Sequence, residues 1–246
     1  MKIVDARNLV RRFGRENALC GVSFAAGAGE RIAIVGRNGA GKTTLLRILA
    51  GLIPADSGAA AVAGFDVFSE SLSVRERVGY LPEGVALDPD LTVAGYLKYR
   101  GKLRGMPRRH LRRRFHEVTE FFDLARILRF PVKALSAGRR HAVGLADCLL
   151  HEPEVLLLDD PLAGLDPIQG ARLGAMISSP RVSAGRAILF ATHDENLVRA
   201  AATRVLVLER GRLIGDLPGL SPGMTLPGAF EACLRASDAD VGGKSK

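Results

Sequence analysis

An α/β chain with a mostly parallel sheet is predicted by three features of the 246-residue sequence. Across residues 139–209 helical and strand patterns alternate. "RRHAVGLADCLL" is helical, "EVLLLDD" a strand, "QGARLGAMI" a helix, "RAILFAT" a strand, "ENLVRAAA" a helix and "RVLVLE" a strand. Alternation of this kind places parallel strands between two helical layers. Earlier, "RIAIVG" is a β-branched run fit for a central strand, and "KTTLLRILAGL" behind it has helical periodicity. Between these two halves residues 84–132 read as helical throughout, as an inserted lobe would.

In chain order, "KIVDARNLVRRFG" and "ALCGVSFAAGAGE" read as short strands punctuated by Gly27 and Gly29, and "SGAAAVAGFDV" returns to small strand-like pieces. In "HLRRRFHEVTEFFDL", Leu111, Phe115, Val118 and Phe122 are spaced by four, three and four, which predicts one apolar stripe on a helix. Pro107 suits the first turn of that helix and Pro131 blocks its continuation. After Gly211 come Pro218, Pro222 and Pro227, a short amphipathic piece "GAFEACLRA", and a polar tail expected to be disordered. No internal repeat is visible.

Composition excludes several classes. Hydrophobic residues make up 47% and charged residues 25%, ordinary for a folded domain. The longest apolar runs, "LLRILAGLI" and "EVLLLDD", are far too short to cross a bilayer. The N-terminal stretch alternates and carries charge throughout, unlike a signal peptide. Cys20, Cys148 and Cys233 lie far apart without paired spacing, which fits a reduced compartment and implies neither zinc nor disulfides. The net charge of +9 leaves nucleic acid, an anionic membrane or plain solubility open. With no Trp and 5% aromatics, a stacking platform for single strands is poorly supplied. The densest basic stretch, "KLRGMPRRHLRRRFHEV", reads as a solvated helix face whose apolar stripe is used for packing.

"GRNGAGKT" satisfies G-x-x-x-x-G-K-[ST] and lies between a strand and a helix, as that motif requires. The glycines let backbone amides turn toward phosphate oxygens, and the helix N-terminus adds partial positive charge. Lys42 reaches the β/γ-phosphates of a nucleotide and Thr43 offers its hydroxyl to magnesium. The candidate nucleotide-binding run is therefore Gly36, Arg37, Asn38, Gly39, Ala40, Gly41, Lys42, Thr43 and Thr44, with ATP and Mg²⁺ as the expected ligands. Alone, Asp159 and Asp160 at the end of "EVLLLDD" would read as a turn. Downstream of a P-loop they have separate tasks. A second strand ending in Asp holds the metal beside the P-loop hydroxyl, which fits Asp159, and Asp160 then faces the attacking water.

Read in order, the remaining motifs resemble the ATP-binding subunit of an ATP-binding-cassette (ABC) transporter over residues 1 to about 215. "LSAGRRHAVGLADCLLHEPEVLLLDDPLAGLDP" is similar to that family's signature motif, Walker B strand and D-loop in unbroken succession. "VGYLPE" lies where the family has its Q-loop, and "FATH" ends the next strand with the switch histidine. "YLPE" and "GLDP" together look most like the ABC-2 type branch. The resemblance implies a P-loop NTPase (RecA-like) core with an N-terminal antiparallel β subdomain and an inserted helical subdomain at about 84–138. Residues 216–246 are left as a short, partly disordered extension. It implies that Phe13 stacks on adenine, and that Glu83 reaches metal and water. It also implies that His193 reaches the γ-phosphate and water, and that Ser136 and Gly138 present a helix N-terminus to ATP bound by a second subunit. Asp166 is expected to cap a helix before Pro167 and to face that interface.

Implied too are separate transmembrane permease subunits, a homodimer or a heterodimer with another ABC subunit, and a cytoplasmic position on the inner face of the membrane. No nucleic acid is expected. Two alternatives stay open: an ABC ATPase acting on ribosomes or DNA, and a weakly hydrolysing regulator. The sequence departs from the family in four places: Ala137 and Arg139 in the signature, Glu83 where Gln is common, and Asp160 for the usual glutamate. The last change predicts slow hydrolysis.

Overall fold

A computed structural model describes residues 2–242 of the chain. Two sheets form its frame. The first is antiparallel and joins β1 (Lys2–Phe13), β2 (Glu16–Gly27), β4 (Ser57–Val62) and β5 (Phe65–Asp66) in the order β2-β1-β4-β5. The second contains β3 (Arg31–Val35), β6 (Val78–Leu81), β7 (Val155–Asp159), β8 (Ala187–Ala191), β9 (Arg204–Glu209) and β10 (Arg212–Leu217). Their order is β10-β9-β3-β8-β7-β6, parallel throughout except for the β9–β10 hairpin at one edge. The helices are α1 (Lys42–Leu49), α2 (Ser71–Arg77), α3 (Val93–Leu103), α4 (Arg108–Phe121), α5 (Ala137–Leu150), α6 (Pro167–Ser178), α7 (Pro180–Ser183), α8 (Glu195–Ala201) and α9 (Leu226–Gly242).

The parallel strands read as continuous apolar runs because both of their faces are covered. Side chains alternate between two cores. Leu156, Leu158, Ile188, Phe190, Val205 and Val207 pack with the helical lobe, α5, α6 and α8. Their neighbours Val155, Leu157, Ala187, Leu189, Leu206 and Leu208 pack with α1 and the antiparallel sheet. Register thus matters at every residue, since a slip by one would exchange the two cores.

The lobe is closed at its base by Val93 N–H to the Phe130 carbonyl and Val132 N–H to the Leu91 carbonyl, with Thr92 and Pro131 bridged. It is fastened to α5 by a largely buried pair: Arg100 Nε lies 2.9 Å from Asp147 Oδ2, and Tyr96 Oη donates to the same oxygen at 3.3 Å. Burial pushes the Tyr96 hydroxyl well above its ordinary pKa.

Several expectations need correction. The buried stripe of α4 is Leu111, Phe115, Val118 and Thr119; Phe122 falls at the C-cap and is only half-buried. Thr119 tolerates its place by donating its hydroxyl to the Phe115 carbonyl at 2.7 Å. Pro107 is the N-cap residue, one step before the first turn. Arg108, Arg109, Arg112 and Arg113 are exposed, but Arg114 turns inward, pairs with Glu117 and donates to the Leu149 and Leu150 carbonyls at 2.8 and 3.3 Å. The helix α2 was not foreseen. A boundary at residue 215 cuts β10, which runs to Leu217, and α9 continues through Gly242, well beyond the amphipathic piece. Leu226, Ala229 and Cys233 of α9 are buried, and a Cβ on Gly215 would lie 2.3 Å from Cys233 Sγ, so glycine is what lets helix and strand meet. The last four positions of the expected disordered tail lie outside the described residues.

The Asp166 cap forms as expected. Asp166 Oδ1 accepts from Gln169 N–H at 2.8 Å while Gln169 returns a bond to the Asp166 amide, with Pro167 at the first helical position. Loss of such a cap costs about 1 kcal/mol. Asp166→Ala is therefore expected to lower the melting temperature by roughly 2–4 °C in a thermal scan.

Candidate functional site

A cleft of about 440 Å³ opens at the carboxyl ends of β3, β7 and β8. The strand order makes this possible, because β8 lies between β3 and β7 and the three ends stop level. Asp159 is registered opposite Ala191, Asp160 N–H donates to the Ala191 carbonyl at 3.1 Å, and Thr192 N–H donates to the Ile34 carbonyl at 3.1 Å. Open parallel sheets place ligands at such ends.

The loop between β3 and α1 curls over the cleft. Two of its glycines are required by contact. A Cβ on Gly36 would lie 2.2 Å from the Leu208 carbonyl oxygen, and one on Gly41, at φ 104°, would lie 2.3 Å from the Ala18 carbonyl oxygen. Lys42 folds back so that Nζ donates to the Gly36 and Arg37 carbonyls at 2.8 and 3.0 Å. Burial lowers the Lys42 pKa, while the carboxylates of Asp159, Asp160 and Glu83 pull it back up. One cation thus faces three acids across the cleft.

Thr43 Oγ1 donates to Asp159 Oδ1 at 2.9 Å, and Tyr80 Oη approaches Asp159 Oδ2 at 3.5 Å. Burial raises the Asp159 pKa and the Thr43 bond partly offsets it, so this enclosed carboxylate calls for a cation. Among the described residues no group of three His, Cys, Asp or Glu side chains converges as a protein-only metal cage. Two hard oxygens from Thr43 and Asp159, with the rest left to phosphates and water, fit magnesium better than a transition metal. Asp160 has φ 42°, a left-handed conformation that Asp tolerates better than most residues. Its carbonyl accepts from Ala163 N–H at 3.1 Å, and its Oδ1 is enclosed without a hydrogen-bond partner.

The structure gathers Phe13, Asn38, Gly39, Ala40, Gly41, Lys42, Thr43, Thr44, Glu83, Asp159, Asp160 and His193 around this one cleft. Phe13 is 49% exposed at its rim, with the Arg11 guanidinium 4.8 Å from its ring centroid. Glu83 and His193 are exposed. Gly36 and Arg37 form the back of the loop, and the Arg37 side chain leaves it to lie over the Phe230 ring of α9 at 5.6 Å. Ser136 and Gly138 are not brought to the cleft. Ser136 caps α5 by accepting from Arg139 N–H at 3.4 Å, and Gly138 lies against Gln169, whose side chain a Cβ there would meet at 2.4 Å.

Sequence reasoning missed Glu16, Asn17, Ala18 and Thr192, which also line the cleft, and Tyr80 beside Asp159. Tyr80 had a signal: it lies on the strand that pairs with β7, opposite Leu157. Thr192 lay in "FATH" directly before His193, whereas Glu16, Asn17 and Ala18 follow only from how the β1–β2 hairpin folds over the loop.

The family model for the ABC transporter matches residues 19–163, which hold the loop, Glu83 and both acids. The chain belongs to the ABC transporter family. Within it the chain is an ATP-binding domain of the ABC-2-like branch, with the P-loop NTPase fold. It is 38% identical over 206 residues to the daunorubicin resistance ATP-binding protein DrrA3 of Streptomyces coeruleorubidus, covering 84% of this chain and 65% of that protein. It is 36% identical to the Nod factor export ATP-binding protein I of Burkholderia lata, covering 87% of this chain and 70% of that protein. This ABC chain thus spans about two thirds of the length of its relatives. A solved ATP-binding subunit of an ABC transporter superposes with a TM-score of 0.84 at 24% identity, over 94% of this chain and 99% of the other, which shows the shared fold.

Proposed function

We propose that the chain hydrolyses ATP to power a membrane transporter as its nucleotide-binding subunit. The observation that carries this reading is the meeting, in one cleft, of the P-loop, the Thr43–Asp159 pair and the enclosed, unpaired oxygen of Asp160. Phe13 supplies a face for the adenine ring, and the loop amides with Lys42 hold the phosphates. Thr43 and Asp159, with Glu83 at the rim, hold magnesium, which when bound neutralises charge on the β- and γ-phosphates. Asp160 orients the attacking water and His193 bonds the γ-phosphate oxygens. Water then displaces ADP from the γ-phosphorus, and phosphate leaves. Because Asp160 is one methylene shorter than the usual glutamate, turnover is slow.

The site is completed by a second copy or a homologous subunit. Ser136 and Gly138 sit at the N-terminus of a 14-residue helix outside their own chain's cleft, and such a terminus binds anions. Opposed head to tail, each chain offers this terminus to the other's γ-phosphate, so ATP closes the pair and ADP releases it.

The membrane partner docks beside the lobe. Leu52, Leu72, Tyr99 and Leu103 are 46%, 73%, 52% and 59% exposed, an unusual set of bare apolar side chains. They surround one place, since Arg104 after α3 reaches the Arg75 carbonyl of α2 and Gly51 lies against Ser71. No helix among the described residues is long and apolar enough to cross a membrane. In this reading the permease holds the chain at the inner face of the membrane. Cargo is selected there.

With Asp160→Asn to retain ATP, sedimentation should show dimers with ATP and magnesium and monomers with ADP. A chain that stays monomeric at saturating ATP excludes the homodimer and leaves the heterodimer to be tested with its neighbour subunit.

A further inference from the structure

The end of β1 carries two adjacent arginines, and the fold treats them differently. Arg12 is exposed, whereas the Arg11 side chain is 20% exposed and its Nε is enclosed without a hydrogen-bond partner. Residues two apart on a strand point to the same side, so Arg11 and Phe13 are neighbours on one face of the sheet. The Arg11 guanidinium carbon stands over the Phe13 ring, 4.8 Å from its centroid.

Asp56 fixes the arginine there. Arg11 Nη1 donates to Asp56 Oδ1 at 2.8 Å. The other carboxylate oxygen accepts from Arg12 N–H at 2.7 Å, and Asp56 N–H donates to the Val10 carbonyl at 2.8 Å. Tied to β1 by its main chain and its side chain, the carboxylate is a fixed anchor for the guanidinium.

Phe13 has no such restraint of its own. It pairs with Glu16 across a two-residue turn, which fixes its backbone, but its side chain is left half bare at the hairpin end. A ring in that setting loses rotamer freedom when a ligand stacks on it, and the guanidinium removes part of that cost in advance. It also covers one face. Phe13 lines the nucleotide cleft while Arg11 stands behind it, outside the lining, so the covered face is the one turned from the cleft. A cation on one face of an aromatic ring draws on its negative π charge, which leaves the opposite face better suited to a π-rich base.

We infer that Arg11, anchored by Asp56, is a positioning residue for nucleotide binding: its guanidinium backs the Phe13 ring and presents the opposite face to adenine. The inference rests on Phe13 as the adenine-stacking residue. The contact acts on the base and leaves the phosphates to the loop.

The test is isothermal titration of the full chain carrying Asp160→Asn, with magnesium ATP and, in parallel, magnesium tripolyphosphate, which has the phosphates but no base. Arg11→Leu keeps most of the side-chain stem and removes the cation. It is expected to weaken ATP binding about three- to tenfold and to leave tripolyphosphate within about 1.5-fold. Arg11→Lys, which keeps a cation in reach of Asp56 and the ring, should lose less than Arg11→Leu. Phe13→Ala should weaken ATP binding about tenfold or more. In that background Arg11→Leu should add less than about twofold, because the ring it supports is gone. Damage to the hairpin would reach the phosphate loop, since the Ala18 carbonyl lies against Gly41, and loss of a general positive field would act on phosphate charge. Either would weaken tripolyphosphate as much as ATP. Equal losses on the two ligands, unchanged ATP affinity in Arg11→Leu, or a full additional loss in the Phe13→Ala background would overturn the inference. If Phe13→Ala weakens ATP binding and Arg11→Leu does not, the role of Arg11 alone is wrong. If Phe13→Ala leaves ATP affinity unchanged, Phe13 does not stack on adenine and both readings fall.

Discussion

Lys42→Ala is expected to abolish measurable ATP binding while leaving the fold intact. The ammonium of Lys42 faces Asp159, Asp160 and Glu83 in the cleft, and two loop carbonyls hold it in place. Without it a triphosphate would approach three carboxylates with no compensating charge from the loop. A charge-assisted hydrogen bond contributes about 1.5–3 kcal/mol, so losing contacts to two phosphates should weaken affinity by roughly two orders of magnitude or more. The fold should survive, since Lys42 lies at the surface end of α1 while Leu45, Leu46, Ile48 and Leu49 provide its buried face. Equilibrium binding of a fluorescent ATP analogue, with a melting curve as control, measures both. Near-normal affinity in a folded variant would overturn the assignment of this loop.

Asp160→Glu should raise the turnover number by several-fold, up to about 100-fold, because a displacement of about 1 Å costs on that order in rate. A group that orients a water must come within about 2.6–3.2 Å of it, and Asp falls short of Glu by one methylene. The backbone cannot easily make up the difference. Both main-chain groups of Asp160 are tied, its N–H to Ala191 and its carbonyl to Ala163. Apparent affinity should hardly change, because the substitution leaves Lys42, Thr43 and Asp159, the residues proposed above to hold nucleotide and metal, in place. Asp160→Asn should lower turnover further by removing the charge while keeping the shape. If Asp160→Glu leaves turnover unchanged or reduces it, the short side chain is already compensated or position 160 does not handle the water.

Much of this site could be read from the sequence because its parts are local. "GRNGAGKT" carries its own strand, turn and helix start, and "LLLDD" carries its own strand end. Such pieces need only short-range sterics to be recognised. What escaped depends on tertiary placement. Thr119 takes the buried position expected of Phe122 because a hydroxyl can bond back to its own helix. Arg114 leaves the solvated face because α5 offers it bare carbonyls at its last turn. The extent of α9 was hidden because its anchor, Cys233 against Gly215, joins residues that no local pattern connects.

The position of β3 has a consequence for how the molecule is made. The strand that bears the P-loop pairs on one side with β8 and on the other with β9. They are synthesised roughly 155 and 170 residues later, separations of the kind that slow folding. Until then β3 has two open edges and two apolar faces, so the growing chain must keep an unpaired, aggregation-prone strand waiting. The cleft has no floor during that interval, and ATP has nothing complete to bind. Since a ligand stabilises only the state it binds, nucleotide secures the finished sheet and gives nothing to a partly built one. In a cell that holds ATP in excess, occupancy of this cleft therefore marks chains whose last strands have reached their places.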